Sequence, residues 1–325
     1  DLKEANIDAS LITGEEQILN EDAAHICSTI EMLDVDIEVD VAIIDEVQML
    51  EDNDRGWAWV NAIIGVPAKK VIMTGSVNAL EAVKRIVQYL DEELEVVRHK
   101  RKNPLLVLEK WTPLEKLENG TALIAFSRAE VLKLKQKLQK KYSVSVIYGN
   151  LSPEVRRDEA RRFRDGQSQI LIATDAISMG LNLPIKTILF TTDTKFDGIS
   201  KRKISVNEIV QIAGRAGRFG LFEAGYLGAT RRDVLEYIKE ELEAAIKTIK
   251  PPFKVKINNS QLENLSMHLK TKSLGKVLNF FALNMKFAGP FEAANLSSML
   301  EASRIVDSKD GLSVEEKYLL AQAPI

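Results

Sequence analysis

Val39 to Gln48 reads VDVAIIDEVQ, an apolar run that ends in two adjacent carboxylates, Asp45 and Glu46. The run predicts a buried strand of a parallel sheet. The carboxyl end of such a strand is where phosphate-hydrolysing α/β proteins manage a nucleotide's Mg²⁺ and its attacking water. A strand ending in Asp-Glu is common by itself, so its surroundings decide what it means. Residues 55–64 predict a helix, and KVIM at Lys70 to Met73 predicts a second strand ending at Thr74-Gly75-Ser76. Glu81 to Leu90 predicts another helix, with Val83, Ile86, Val87 and Leu90 on one face. Together these make half of an α/β sandwich.

Beyond Lys100 the charge-rich RKNPLLVLEKWTPLEKL, carrying Pro104 and Pro113, breaks the rhythm and predicts a crossing between domains. A second series follows: a strand at Thr121 to Phe126, an amphipathic helix at Arg128 to Lys141, a strand at Val144 to Tyr148 and a helix at Pro153 to Arg164. Strands at Gln169 to Ala173 and Thr187 to Phe190 continue it. Such alternation implies a parallel sheet with helices on both faces. Past Leu235 the strand signals fade. Pro251-Pro252 punctuates the tail, where helices are expected around Leu274 to Met285, Asn295 to Ala302 and Val314 to Ala321.

Two stretches of the second series carry chemistry. ILIATDAISMGLNLP, Ile170 to Pro184, is a buried strand whose end presents Thr174 and Asp175, with Gly180 and Asn182 in the turn that follows. A plain strand-turn with Asx-type hydrogen bonding is the alternative reading. QIAGRAGRF, Gln211 to Phe219, holds Arg215 and Arg218 in a glycine-rich turn. Gly214 and Gly217 let the backbone approach an anion, while the arginines offer rigid forks of donors for phosphate oxygens. Arginine fingers are built this way, as are turns that hold a nucleic-acid phosphate or cap a helix. The two stretches lie about one β-α unit apart, so both are expected on the same rim of the sheet.

Composition sets the outer limits. The 325 residues are 45% hydrophobic and 28% charged, ordinary globular material for two or three domains. No apolar stretch reaches membrane-spanning length, and DLKEANID is no signal peptide, so a soluble chain with no membrane partner is expected. Cys27 has no partner for an internal disulfide, and His25, His99 and His268 lack zinc-ligand spacing. A net charge of −3 leaves any nucleic-acid binding to local patches. These are RHKRK at Arg98 to Lys102, the cluster Arg156, Arg157, Arg161, Arg162 and Arg164, and KRK at Lys201 to Lys203.

Read in order, LITGEE (Leu11 to Glu16), HICSTIEM (His25 to Met32), DEVQM (Asp45 to Met49), MTGS (Met73 to Ser76), IAFSRAE (Ile124 to Glu130), ATDAISMGLNL (Ala173 to Leu183) and QIAGRAGRF resemble the successive motifs of superfamily 2 DExH-type helicases. GWAW at Gly56 to Trp59, VIYGNL at Val146 to Leu151 and the closing API narrow the resemblance to the ATP-dependent RNA helicases of the mitochondrial degradosome and their bacterial relatives. The resemblance implies an α/β fold of two RecA-like parallel-sheet domains, the first incomplete, followed by a helical C-terminal region. The regions are expected at residues 1–108, 109–235 and 236–325.

It also implies an enzyme that uses ATP and Mg²⁺ to unwind or move along RNA in RNA turnover, with an exoribonuclease as partner by analogy. Asp45 and Glu46 would organise Mg²⁺ and the hydrolytic water, and Gln48 would sense nucleotide state. Thr74 and Ser76 would couple hydrolysis to motion. Gln211, Gly214 and Arg215 would meet the nucleotide, Arg218 would reach the γ-phosphate, and Asp175 and Gly180 would serve the same cleft. Thr13, Gly14, Thr29, Ser127, Arg128 and Thr174 would line the nucleic-acid strand. Thr191 to Val206, with Asp197-Gly198 at its turn, predicts a β-hairpin or long loop beside that strand, its KRK on phosphates.

One departure stands out. Helicases of this kind carry a GxxxxGK(S/T) phosphate loop, and no segment here matches it. The chain is therefore expected to be an N-terminally truncated helicase, active as the longer protein and inactive alone. Two alternatives stay open: a DNA-directed translocase, since backbone-grasping sites read shape and charge more than bases, and a nucleic-acid-binding scaffold without ATPase activity. The bacterial cytoplasm is the expected compartment, with the mitochondrial matrix as the alternative.

Overall fold

The structure is a computed structural model that describes the chain except at positions 1, 3, 4, 15, 150, 179–181, 198, 199, 219, 245, 246 and 323–325. Two compact units divide it: residues 1–96 together with 247–325, and residues 97–246.

In the first unit, β1 (Ala9–Ile12) pairs antiparallel with β2 (Gln17–Ile18) and parallel with β3 (His25–Ser28), which sets Ile12 opposite Ser28. β4 (Val39–Ile44) and β5 (Ala68–Met73) form a separate parallel pair with Ile44 opposite Met73. α1 (Gly56–Gly65) connects them, and α2 (Leu80–Tyr89) follows. The two expected strands and both helices of this block are present. β1, β2 and β3 were not anticipated, because they are short and not patterned in twos, and β2 and β3 are exposed. One face of β4 is open, with Val41 50% and Ile43 69% exposed, although parallel strands are usually covered on both sides.

The second unit holds β6 (Leu105–Val107), β7 (Thr121–Ile124), α3 (Arg128–Leu138), β8 (Val144–Ile147), α4 (Pro153–Arg164), β9 (Ile170–Ala173) and β10 (Thr187–Phe190). It continues through β11 (Thr194–Phe196), β12 (Lys201–Lys203), α5 (Val206–Ala213), β13 (Gly225–Ala229) and α6 (Arg232–Glu243). Six strands make one sheet in the order β6-β13-β10-β7-β9-β8, all parallel. Alternate residues of each strand face opposite layers. Ile124, Leu171, Ala173 and Phe190 join Phe163, Ile209, Ile212 and Ile238 of α4, α5 and α6. Leu123, Ile170, Ile172 and Leu189 join Val131 and Leu138 of α3 on the other face. Full burial on both sides is why these strands read as continuous apolar runs.

Residues 101–117 are therefore more than a crossing, since β6 inside them is the edge strand paired with β13. An edge tolerates Pro104, whose carbonyl accepts the Gly225 amide at 2.9 Å. β13 was hidden by its glycines. A Cβ at Gly228 would stand 2.8 Å from the Leu108 side chain, so close packing requires the residue that lowers strand propensity.

The C-terminal segment is not purely helical. β14 (Phe253–Val255) pairs in parallel with β15 (Phe291–Ala293) among α7 (Asn259–His268), α8 (Leu274–Asn284), α9 (Ser297–Val306) and α10 (Val314–Gln322). Ile249, Phe253 and Val255 enter the core of the first unit beside Trp59, Val60 and Ile86. Sequence-distant segments thus share one core. Lys256 is held there, its ammonium 4.4 Å from the Trp57 ring centre, and burial pushes its pKa down to about 8.

Candidate nucleotide and nucleic-acid sites

In the first unit the carboxyl ends of β4 and β5 lie side by side, and the two turns that leave them are bonded together. The Val47 amide donates to the Thr74 carbonyl at 2.9 Å, and the Thr74 amide to that of Ile44 at 3.0 Å. The Thr74 hydroxyl donates to the Asp45 carboxylate, and the Gln48 amide group to the Glu46 carboxylate. The Ser76 amide in turn donates to the Gln48 carbonyl oxygen at 3.1 Å. Asp45, Glu46, Gln48, Thr74 and Ser76 are thereby brought into one network.

Local backbone makes this possible. Glu46 is left-handed (φ 57, ψ 43), a conformation that costs about 1 kcal/mol for a residue with a Cβ. A Cβ at Gly75 would lie 2.8 Å from the Gln48 side-chain oxygen, so only glycine leaves room for the bond to Ser76. Trp59, 6% exposed, donates its indole N–H to the Asp45 carbonyl at 2.8 Å, which gives the GWAW stretch a purpose the sequence did not reveal. Two carboxylates beside a hydroxyl are hard oxygen donors. They suit Mg²⁺ delivered with a nucleotide's phosphates, not a resident metal cage, and no metal-holding cluster of three or more His, Cys, Asp or Glu occurs among the described residues.

The β1–β3 pairing places Thr13 and Thr29 at neighbouring strand ends, with the Thr29 amide donating to the Ile12 carbonyl at 3.0 Å. The Thr13 hydroxyl accepts the Glu16 amide at 2.8 Å, and Gly14 is exposed on the turn between them.

In the second unit the carboxyl rim of the sheet collects Ser127, Arg128, Thr174 and Asp175. Ser127 caps α3 by accepting the Glu130 amide at 3.2 Å, and the Arg128 guanidinium sits 5.7 Å from the Tyr148 ring centre. Thr174 is buried, its hydroxyl accepting the Ala176 amide at 3.3 Å. Gly180 lies outside the described residues. So does Gly198 of the hairpin turn, but β11 and β12 do pair antiparallel, with Lys195 opposite Arg202.

Three of the basic residues of that hairpin are paired with carboxylates. Arg202 bonds both oxygens of Glu208 at 2.8 and 2.9 Å, and Lys203 pairs with Asp193. Lys195, which the sequence did not single out, bridges Asp175 at 2.8 Å and Glu208 at 2.9 Å. Burial works against the charge on Glu208, yet bonds from Arg202, the Ser205 amide and Lys195 outweigh it and hold the carboxyl at about 2.

The arginine turn is not on that rim. α5 starts at the carboxyl rim and runs back across the sheet, so its far end brings Ala216 beside Ile185, just ahead of β10, where the Gly217 amide donates to the Ile185 carbonyl at 2.8 Å. The expectation of one shared rim is corrected for a simple reason: a helix after a parallel strand returns to the amino end, and a motif at its C-terminus goes with it. Asp175 is accordingly grouped with Lys195 and not with Arg215 or Arg218. Gly214 closes α5, Gln211 lies in its last turn, Arg215 is half-buried and Arg218 exposed.

Gly217, at φ 69, packs so tightly on β13 that a Cβ would come within 2.2 Å of the Gly225 nitrogen. Arg101 of the RHKRK patch holds this turn, donating to the Gly214 carbonyl at 3.3 Å and to that of Ala216. Asn103 donates to Gly217 at 3.1 Å and to Phe222 at 2.6 Å. No sequence signal separates Arg101 from its basic neighbours. The Arg156 to Arg164 cluster is largely structural: Arg156 bonds the Gly149 carbonyl, and Arg161 and Arg162 pair with Asp158 and Glu159.

Residues 1–99 match the DEXQ-box helicase domain of Suv3, and residues 104–220 match the helicase conserved C-terminal domain. The chain belongs to the Suv3-type superfamily 2 helicases. Similar relatives of this Suv3-type chain include the Arabidopsis thaliana DExH-box ATP-dependent RNA helicase DExH16, mitochondrial, 34% identical over 100% of this chain and 57% of its own. The Candida albicans ATP-dependent RNA helicase SUV3, mitochondrial, is 34% identical over 98% of this chain and 46% of its own. The Suv3-type chain thus spans about half the length of these relatives. Among solved structures it resembles Saccharomyces cerevisiae Dbp5 bound to RNA and ADP BeF3, at TM-score 0.55 and 15% identity over 84% of this chain and 74% of that one. The Mycobacterium smegmatis helicase Lhr, bound to ssDNA and AMP-PNP, gives TM-score 0.56 at 14% identity over 92% and 44%. These likenesses establish a RecA-like α/β helicase fold.

Proposed function

We propose that this chain is the motor portion of an ATP-dependent RNA helicase acting in RNA turnover. The observation that carries the reading is the bonded network of Asp45, Glu46, Gln48, Thr74 and Ser76 across the carboxyl ends of two parallel strands. It ties the groups suited to nucleotide-borne Mg²⁺ to the turn that would report nucleotide state. Asp45 and Glu46 orient the metal and the water, and Gln211, Gly214, Arg215 and Arg218 present donors to phosphate. Asp175, with Gly180 close by in sequence, serves the nucleotide side through its ties to α5. Thr13, Gly14, Thr29, Ser127, Arg128 and Thr174 contact the strand backbone. The bound nucleotide supplies the phosphoanhydride and Mg²⁺ the charge neutralisation.

RNA is preferred over DNA as substrate because the sequence relatives are named RNA helicases. An exoribonuclease remains the partner of choice. The relatives' mitochondrial names favour the matrix, the second of the two compartments considered, and lend nothing to a bacterial cytoplasm. The three regions read from sequence are kept, with the first boundary moved ahead of Leu105 because β6 pairs with β13, and the second moved past Glu243 because α6 packs whole in the second unit.

The test is strand displacement from an RNA duplex with single-stranded tails, using a longer form of the protein that carries a GxxxxGK(S/T) loop. ATP-dependent displacement that disappears in Glu46→Gln supports the motor. Displacement in which a DNA competitor outdoes RNA supports the translocase, and RNA binding without ATP turnover supports the scaffold.

A further inference from the structure

The hairpin β11–β12 is fastened to the body of the second unit by ion pairs that converge on one carboxylate. Glu208 takes both prongs of Arg202 from β12 and the ammonium of Lys195 from β11. Lys195 then reaches on to Asp175 in the turn after β9, and its ammonium lies 5.9 Å from the Phe126 ring centre at the end of β7. Its side chain is only 19% exposed, and that of Glu208 22%, so salt screens these pairs far less than surface ones.

Glu208 is also the third residue of α5, where it accepts the Ser205 amide in a capping box. Eight residues of helix, about 12 Å, separate that end from the arginine turn. The far end is held as firmly, by Arg101, Asn103 and the Ile185 carbonyl. A short helix secured at both ends transmits displacement instead of absorbing it.

We infer that Lys195, Arg202 and Glu208 are positioning residues that join the hairpin, the Asp175 turn and α5 into one rigid body, so that a load on the hairpin moves the arginine turn. The linkage rests on the functional reading above for what loads the hairpin, RNA, but its mechanical content stands apart from that reading. It also accounts for the pairing of Arg202 with Glu208, a cation the sequence assigns to phosphate contact. Lys201 and Lys203 are exposed.

Glu208→Gln separates linkage from cap. Glutamine at the third helical position still accepts the Ser205 amide and preserves the capping box, while the charge that holds Lys195 and Arg202 is lost. Ser205→Ala does the reverse.

Amide hydrogen exchange on the 325-residue chain reads the outcome. Glu208→Gln is expected to speed exchange in the hairpin at least about tenfold, with α3 and α6 unchanged. Lys195→Met, a change confined to the hairpin, is expected to speed exchange at residues 174–177 and in α5 about threefold or more. Unchanged exchange in α5 with Lys195→Met, or an equal effect from Ser205→Ala, overturns the linkage. Single-stranded oligouridylate is then added. It should slow exchange in both the hairpin and α5 of the native chain, and in the hairpin alone of Glu208→Gln. Protection of α5 that survives in Glu208→Gln also overturns the proposal. If the RNA protects neither segment of the native chain, RNA contact at the hairpin fails, and the RNA-free comparison still decides the linkage.

Discussion

Arg218 is exposed at the end of a turn whose backbone is fixed by Gly217, Arg101 and Asn103, so its guanidinium is presented from a rigid base. In a longer, loop-bearing form of the protein, Arg218→Ala should lower ATP turnover about a thousandfold while RNA affinity stays within twofold, the pattern of an arginine finger. Near-normal turnover would remove that role. Arg101 belongs to the same argument at one remove. Its donors satisfy two carbonyls of the turn, and a charge-assisted hydrogen bond stabilises by about 1.5–3 kcal/mol. Arg101→Met should therefore reduce kcat about tenfold with the KM for RNA unchanged, and Arg101→Lys should recover part of it. A change confined to RNA affinity would return Arg101 to the nucleic-acid patch. These roles were unevenly legible. Arg215 and Arg218 announce themselves through their glycines, whereas Arg101 is one of four cations in five residues and only its contacts distinguish it.

Among the elements, the hairpin shows how a correct local reading leaves function open. Lys201 is exposed, so Lys201→Ala should lessen the salt dependence of RNA binding by about one counterion. Arg202→Ala should instead loosen the hairpin, detected as faster proteolysis between residues 194 and 203. An unaltered salt slope in Lys201→Ala would place the strand elsewhere. Glu208 gives the pH dependence. Its carboxyl falls from an ordinary 4.5 to about 2 in the fold, so its stabilisation is fully present above the unfolded value and lost as pH drops from there towards 2. The gap in thermal stability between the native chain and Glu208→Gln should be constant above about pH 5 and shrink below it. A gap that persists at pH 3 would mean that packing, not charge, holds the hairpin.

For the whole molecule, the distribution of the site predicts behaviour. Asp45 and Glu46 can orient a metal and Arg215 and Arg218 can face phosphate, but no GxxxxGK(S/T) loop is present to hold the β and γ phosphates in line. Residues 1–325 purified by themselves should show no RNA-stimulated ATPase, and a longer form with such a loop should show it. Hydrolysis by the present chain at the rate of the longer form would mean that another segment supplies the phosphate site.

The sequence by itself determined the strands buried on both faces, the glycine-bearing β13 excepted, because continuous apolar runs have few other uses. It also determined the motifs whose chemistry is local, such as adjacent carboxylates or arginines among glycines. Where those motifs stand was decided only in three dimensions. α5 carries the arginine turn to the opposite rim from Asp175 because a return helix reverses direction, and Glu208 gathers Lys195, Arg202 and Ser205 because the hairpin β11–β12 folds against the first turn of α5. Phe253 and Val255 enter the core of a unit that begins more than 200 residues earlier, and no local pattern records a partner so distant in sequence.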